Sequence, residues 1–329
     1  MPGSWASVFG EAENFQAALR ADGVAALLVT GHGQFRARLT QVELDRLRLA
    51  AVEEAQSRIA FVTVPSDMVL VSFPIGEGPS PVWGGIEIRT GEMITLGGGQ
   101  RLHARTLGAS HWGAIEAPDQ QLADYGRALS GAGFVVPPAA RWRPPATAAR
   151  QLRHLHRAAI RMAEARAGAL TDPQAAHGLE QQLIHALIEC LSARHAVEEP
   201  RYAHRHRDIL ARFEDLLAAE PFLRMAEICT VLGVSSRSLR ECCKEQLGIG
   251  PTGYRRLCRM QQVHRALRSG DADTASVSGL AGRYGFRDPS RLAANYRTVY
   301  GELPSATLRR ASRPAMTELA VGRPRIKPS

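Results

Sequence analysis

Alternating apolar and polar positions characterise the first part of the chain. Between residues 23 and 115, six short apolar or alternating runs are separated by clusters of glycine, proline, aspartate or serine. One of them, "QFRARLTQVEL", has a period of two, which is typical of a strand with one face in solvent. Six such runs joined by turns predict a small antiparallel barrel or jelly roll. We therefore predict a β-rich domain over residues 1–134.

The pattern takes on a helical period after a proline-rich stretch. Residues 135–149, "VVPPAARWRPPATAA", carry four prolines and predict a linker. Helical spacing follows from about 147 to 196, so we predict a linker and a helical segment over residues 135–200. Within this segment, the stretch "AAHGLEQQLIHALIECLSARH" has one apolar stripe, which predicts either a dimerisation helix or an intramolecular packing face. Its residues are Leu179, Leu183, Leu187 and Leu191.

One local pattern occurs twice near the C-terminus. It is "CTVLGVSSRSLRECCKEQLGIGP" at 229–251 and "AGRYGFRDPSRLAANYRTVYGELP" at 281–304. Corresponding positions are Gly233 and Gly285, Leu239 and Leu292, and Pro251 and Pro304. The first pair is 52 residues apart and the other two pairs are 53 apart, because the second copy has one extra residue. A repeat of this kind indicates a duplicated structural unit.

Each copy predicts a helix-turn-helix motif. In the first, Gly233 can end one helix in the left-handed conformation and Ser235 or Ser236 can cap the next. In the second, Gly285 ends the first helix and Asp288 is the N-cap of the second. The motifs are predicted at about 225–247 and about 277–300, joined by one long helix.

The distribution of charge indicates what these helices bind. Residues 1–200 hold 18 Lys and Arg against 20 Asp and Glu, whereas residues 201–313 hold 20 against 11. The excess of the +9 chain therefore lies in the C-terminal region, which indicates binding to a polyanion. Arginine and asparagine can read base edges, and lysine or serine can bind phosphate. The predicted DNA-binding residues are Ser235, Ser236, Arg237, Arg240, Glu241, Lys244, Arg287, Asp288, Ser290, Arg291, Asn295 and Arg297.

Residues 205–310 resemble the AraC/XylS family of bacterial transcription regulators. The resemblance rests on "LGVSSRSLRECCKEQLGIGP", "YRRLCRMQQVHRAL" and "YGFRDPSRLAANYRTVYGELPSATLRR". Within the family, the layout is similar to the ethanolamine-utilisation regulator branch. The resemblance implies an all-α DNA-binding domain over 201–313, preceded by a cupin-like barrel for effector binding and dimerisation. It also implies RNA polymerase as a partner, and residues 314–329 are expected to form a basic, disordered tail.

Two features depart from the family pattern in the second motif. Gly279 and Gly282 weaken its first helix, and Ala293 and Ala294 leave its second helix with few long side chains. We therefore expect the first motif to contribute more base recognition than the second.

No residues in the chain predict catalysis, a cofactor or a metal site. The five cysteines lack C-x-x-C spacing and predict buried, reduced thiols. The N-terminal histidines, His32, His103 and His111, do not form the H-x-H arrangement of a metal cupin with Glu87, Glu92 and Glu116. An effector pocket is conceivable, with ordinary core as the alternative, and its residues are unknown. The candidates are Phe61, Val69, Phe73, Trp83 and Trp112.

The α+β chain is thus predicted to be a sequence-specific DNA-binding transcription regulator and not an enzyme. We expect an effector-responsive activator, a cytoplasmic homodimer that binds promoter DNA across two adjacent major-groove segments. No apolar run reaches the length of a membrane span, and the N-terminus does not match a secretory signal. The alternatives are a non-specific architectural DNA-binding protein and an enzyme with a helix-turn-helix appendage.

Overall fold

The chain folds into two units that each have their own packing. The computed structural model describes residues 3–20, 23–76, 78–131, 133–136, 139–165, 172–192, 195–196, 201–269 and 276–311. Its two units are Met1–Leu257 and Cys258–Ser329. The predicted domain boundaries at 134, 200 and 313 stay predictions, and the predicted tail at 314–329 lies outside the described residues.

The N-terminal region is β-rich, as predicted. Its strands are β1 (Gly3–Phe9), β2 (Val24–Val29), β3 (Ala37–Glu43), β4 (Arg48–Glu54), β5 (Arg58–Thr63), β6 (Met68–Pro74), β7 (Val82–Trp83), β8 (Ile86–Glu87), β9 (Met93–Leu96), β10 (Arg101–Arg105), β11 (Ser110–Pro118), β12 (Ala139–Arg143) and β13 (His195–Ala196). The larger sheet has the order β1-β3-β4-β11-β6-β9-β12-β13 and the smaller has β2-β5-β10-β7-β8. All of these pairs are antiparallel. Within the described ranges neither sheet closes on itself, so the predicted cupin-like barrel takes the form of two sheets.

Helices make up most of the remaining chain. They are α1 (Ala12–Leu19), α2 (Asp119–Ser130), α3 (Ala146–Ala165), α4 (Pro173–Ser192), α5 (Arg201–Ala219), α6 (Met225–Leu232), α7 (Ser236–Leu247), α8 (Pro251–Arg268), α9 (Val277–Arg283), α10 (Pro289–Tyr300) and α11 (Pro304–Ala311). Helix α8 is the predicted long helix between the motifs. The prediction of a β-rich region followed by a helical region is therefore confirmed.

Two apolar cores use the opposite faces of the larger sheet. One draws on both sheets and includes Leu39, Val52 and Trp112. Because side chains alternate along a strand, neighbouring residues of the same strands enter the second core, which helices α2, α3 and α4 cover. The second core fixes α3 against the larger sheet.

The leucine stripe of α4 lies in this second core. Leu183, Leu187 and Leu191 are fully buried there, and Leu179 packs against its edge. Burying each leucine contributes on the order of 2 kcal/mol of hydrophobic stabilisation. The intramolecular packing face, one of the two alternatives left open, is the arrangement observed.

Part of the predicted linker is a strand. Residues Ala139–Arg143 form β12 and pair with β9. Trp142 is fully buried, and its indole Nε1 donates a hydrogen bond of 2.7 Å to Thr95 Oγ1. The linker prediction is wrong for this stretch. The four nearby prolines indicated a linker, but the five-residue strand is stabilised by partners that are distant in sequence.

Candidate nucleic-acid interface

The first helix-turn-helix motif consists of α6 and α7. Helix α6 ends at Gly233, whose φ of 67° is the left-handed conformation that glycine adopts at little cost. Ser235 then caps α7, since its Oγ accepts a hydrogen bond of 3.0 Å from the backbone N–H of Ser238. Both predicted signals therefore act at the predicted places.

Four residues of the repeated sequence pattern form the buried face of α7. They are Leu239, Cys242, Cys243 and Leu247. Burial raises the pKa of Cys242 to about 11 and that of Cys243 to about 12, so both thiols stay protonated at neutral pH. These cysteines serve as small apolar core residues, as predicted, and not as nucleophiles.

The opposite face of α7 is exposed and basic. Arg237, Arg240, Glu241 and Lys244 all lie in solvent. The guanidinium Nε of Arg237, whose side chain is 88% exposed, lies 2.9 Å from Glu241 Oε1. An exposed pair of this type contributes at most about 1 kcal/mol to stability, so its main effect is to hold the Arg237 side chain along the helix.

The second motif consists of α9 and α10. Ser276 caps α9 by accepting a hydrogen bond of 3.0 Å from the N–H of Gly279. After α9, Gly285 has a φ of 78°. Asp288 Oδ1 then accepts from the N–H groups of Ser290 at 2.9 Å and Arg291 at 3.0 Å. Asp288 satisfies two of the unpaired amides at the start of α10, as an N-cap residue should.

Helix α10 is held by a compact polar and aromatic core within the second unit. Leu292 and Tyr296 are fully buried. The Tyr296 hydroxyl lies 2.8 Å from Thr307 Oγ1 and also hydrogen-bonds His264 Nδ1. The His264 ring stacks on Tyr300 with centroids 4.0 Å apart. This network fixes the orientation of α10 relative to α8 residues of the same unit and to α11.

The structure sorts the twelve predicted DNA-binding residues by accessibility. Eleven are exposed, and Asn295 is partly buried. Ser235 and Asp288 use side-chain oxygens to cap helices, which makes them positioning residues as well as surface residues. The others lie on the accessible faces of their own motifs. Their contacts with DNA stay predictions.

Contacts that join α5 and α7 to the smaller sheet had no sequence signal. His103 Nε2 of β10 lies 2.9 Å from Glu214 Oε1 of α5, and the Tyr254 hydroxyl also donates to Glu214. Gln246 of α7 donates a hydrogen bond of 3.0 Å from Nε2 to the carbonyl of Gly84. His103 and Glu214 lie 111 residues apart, and Gln246 and Gly84 lie 162 apart, so spacing along the chain could not reveal these contacts.

The five candidate pocket residues do not line one pocket. Val69 and Phe73 lie in the core beneath the helices, whereas Trp83 and Trp112 lie in the core that draws on both sheets. Phe61 borders a cavity of about 330 Å³, which His103 and Glu214 also line. The ordinary-core alternative holds for the other four.

Similarity to known proteins is concentrated in this helical region. A family model described as a helix-turn-helix domain matches residues 228–310. The XylDLEGF operon transcriptional activator of Pseudomonas putida is 34% identical over 90 residues, which are 27% of this chain and 27% of that protein. Residues 228–310 are a helix-turn-helix domain of the AraC/XylS type. This chain thus spans about a quarter of the length of that relative.

A longer match joins the AraC/XylS domain to part of the N-terminal region. The HTH-type transcriptional activator RhaS of Klebsiella pneumoniae (strain 342) is 27% identical over 232 residues, covering 67% of this chain and 80% of that protein. The crystal structure of the AraC-like transcriptional activator CuxR covers 79% of this chain and 94% of its own, with 18% identity and a TM-score of 0.42.

The described residues lack a membrane-spanning helix and a metal-binding cluster. None of the helices there has the length and apolarity that a membrane crossing requires. No group of three or more His, Cys, Asp and Glu side chains there is arranged to hold a metal ion.

Proposed function

We propose that this protein is a sequence-specific DNA-binding transcription regulator that acts as an effector-responsive activator. The observation that carries the proposal is the pair of helix-turn-helix motifs, each with a capped second helix that is buried on one face and exposed on the other. This is the form in which a helix enters the major groove and presents its N-terminal residues to base edges.

In this proposal the exposed residues have different tasks. Arg240 on α7 and Arg291 on α10 read guanine through bidentate hydrogen bonds, and Asn295 reads adenine. Lys244 binds phosphate and contributes affinity without sequence preference. Two motifs on one chain would occupy adjacent major-groove segments about 10 bp apart.

The regulatory half of the proposal rests on the relatives' names and on the contacts of the first motif. The matched proteins from Pseudomonas putida and Klebsiella pneumoniae are called transcriptional activators. Glu214 and Gln246 tie α5 and α7 to the smaller sheet, so an effector that shifts this sheet would also bias the position of α7. Homodimerisation, contact with RNA polymerase, a cytoplasmic location and the ethanolamine-utilisation branch belong to the same proposal. So does the absence of an enzymatic role.

Selection of bound sequences from random duplex DNA, with the purified full chain, tests the proposal. It predicts enrichment of a motif with two conserved blocks, in the absence or presence of candidate metabolites that include ethanolamine. Binding to every sequence alike, with a steep loss on raising salt, would instead identify a non-specific architectural protein.

A further inference from the structure

A basic cavity lies between α3 and the outer face of the larger sheet. Its volume is about 260 Å³, roughly that of nine water molecules in the liquid. Thr40 and Ala51 of the sheet form one side, and Arg153, Arg157 and Arg161 of α3 border the other. The cavity is separate from the DNA-binding motifs and from the core that draws on both sheets.

The arginines of this cavity share one stripe of α3. Arg153, Arg157 and Arg161 are spaced four residues apart, so each lies one turn from the next. Like charges at this spacing destabilise a helix, and no carboxylate in the described ranges pairs with any of the three. A negatively charged ligand bound here would relieve the repulsion between the three arginines.

The other charged groups around the cavity do not cancel this excess. Arg38 pairs with Glu164 at 3.4 Å, and Thr40 Oγ1 also donates to that carboxylate at 3.0 Å. Glu53 is the remaining acidic group in the lining. His156 is neutral at physiological pH because burial lowers its pKa to about 4. Four arginines therefore face two glutamates, which leaves a net positive lining.

The cavity also has apolar surface. Ala51, Ile75 and Ile160 contribute to its lining, and the fully buried His156 donates from Nε2 to the carbonyl of Ala50 at 3.0 Å. An anion with no apolar part would leave this surface exposed to water. A pocket that combines apolar walls with a few convergent polar groups is typical of a small organic ligand.

We propose that this cavity binds a small organic carboxylate, with its carboxylate on the arginines of α3 and its apolar part against Ile75 and Ile160. Arginine suits this task because its planar guanidinium forms two parallel hydrogen bonds to a carboxylate. The proposal names a ligand class for the effector of the proposed regulator, and in that sense rests on it. An amine such as ethanolamine carries the wrong charge for this cavity, so a carboxylate is proposed here as the alternative to ethanolamine as the effector.

Isothermal titration calorimetry of the full chain without DNA tests the site. Hexanoate combines a carboxylate with an apolar chain, and we expect it to bind with a Kd below about 1 mM. Hexan-1-ol, hexylamine and inorganic phosphate each lack one of these features and should bind at least about tenfold more weakly. Absence of hexanoate binding, or equal binding of phosphate or hexylamine, would overturn the proposal.

Two matched variants locate the binding. Arg157→Gln should weaken hexanoate binding about tenfold or more, without lowering Tm, because Arg157 is exposed. Arg150→Gln is the control, since Arg150 lies on the same helix outside this cavity. Equal weakening by both variants would indicate a diffuse basic surface and contradict the proposal. DNA selection with the same preparations shows separately whether the regulator function holds.

Discussion

The two helix-turn-helix motifs share one plan but differ in how they are supported. Helix α7 of the first motif packs within a unit that also contains both sheets, and it contacts the smaller sheet through Gln246. Helix α10 of the second motif belongs to the unit that begins at Cys258 and rests on a small core around Tyr296. A repeated sequence pattern therefore specifies a repeated local structure without specifying equal stability.

Their exposed faces differ as well. Helix α7 presents Arg237, Arg240 and Lys244, whereas α10 has Ala293 and Ala294 at the centre of its sequence. Bidentate hydrogen bonds to base edges come from longer side chains such as arginine, lysine, asparagine and glutamine. We therefore expect the first motif to carry most of the sequence discrimination, and the second to add affinity and spacing.

The largest expected effect separates the stabilities of the two motifs. Leu292→Ala removes a fully buried side chain from a small unit and should lower its free energy of unfolding by about 2–5 kcal/mol. This is a large share of the total stability of such a unit. Hydrogen exchange measured by mass spectrometry should show α10 losing protection while α7 keeps it. Leu239→Ala is the matched change in the first motif. Loss of protection in both motifs from Leu292→Ala alone would show that the two form one cooperative unit.

The next effect concerns recognition. Arg240→Ala should cost about 1–3 kcal/mol of binding free energy on the selected DNA site and relax base choice at one position, because one bidentate contact is lost. Asn295→Ala should cost less, since Asn295 is partly buried on its helix. Titrations on the selected site and on single-base variants measure both. Uniform weakening on all sequences would make Arg240 a phosphate contact.

A smaller effect concerns the caps. Asp288→Ala removes the acceptor of two backbone amides and should destabilise the second unit by about 1–2 kcal/mol. Ser235→Ala removes the acceptor of one and should cost about 0.5–1 kcal/mol. Denaturant unfolding compares the two variants. A larger loss from Ser235→Ala than from Asp288→Ala would contradict the ranking by the number of capped amides.

The smallest effect should be a gain. Gly282→Ala should stabilise α9 by about 0.5–1 kcal/mol, because an alanine methyl would meet no atom within 4 Å and alanine favours the helix. Gly279→Ala is the control, since its methyl would lie 3.2 Å from Ser276 Oγ, the cap of the same helix. The thermal unfolding midpoint of each variant measures the difference. Equal gains would show that the cap of α9 tolerates the methyl group.

Local signals explain what could be predicted from the sequence. Gly233, Ser235 and Asp288 act on residues a few positions away, so the motifs and their exposed faces could be located from sequence alone. The alternation of β3 likewise predicted a strand, because side-chain direction within a strand depends only on the order of residues.

Long-range packing explains what could not be predicted. Strand β1 forms by pairing with β3, some thirty residues on, and β12 depends on β9 and on the hydrogen bond from Trp142 to Thr95. The division of the pocket candidates between two cores has the same cause. Phe73 and Trp112 lie on adjacent strands but face opposite sides of the larger sheet, a difference that only the paired register determines.

The most direct test of unequal recognition is sequence selection repeated with the Arg240→Ala and Asn295→Ala full chains. The account predicts two conserved blocks for the unmodified protein, with Arg240→Ala degrading the more informative block and Asn295→Ala degrading only the weaker one. Loss of the same block in both variants, or two blocks of equal information that respond equally, would contradict it.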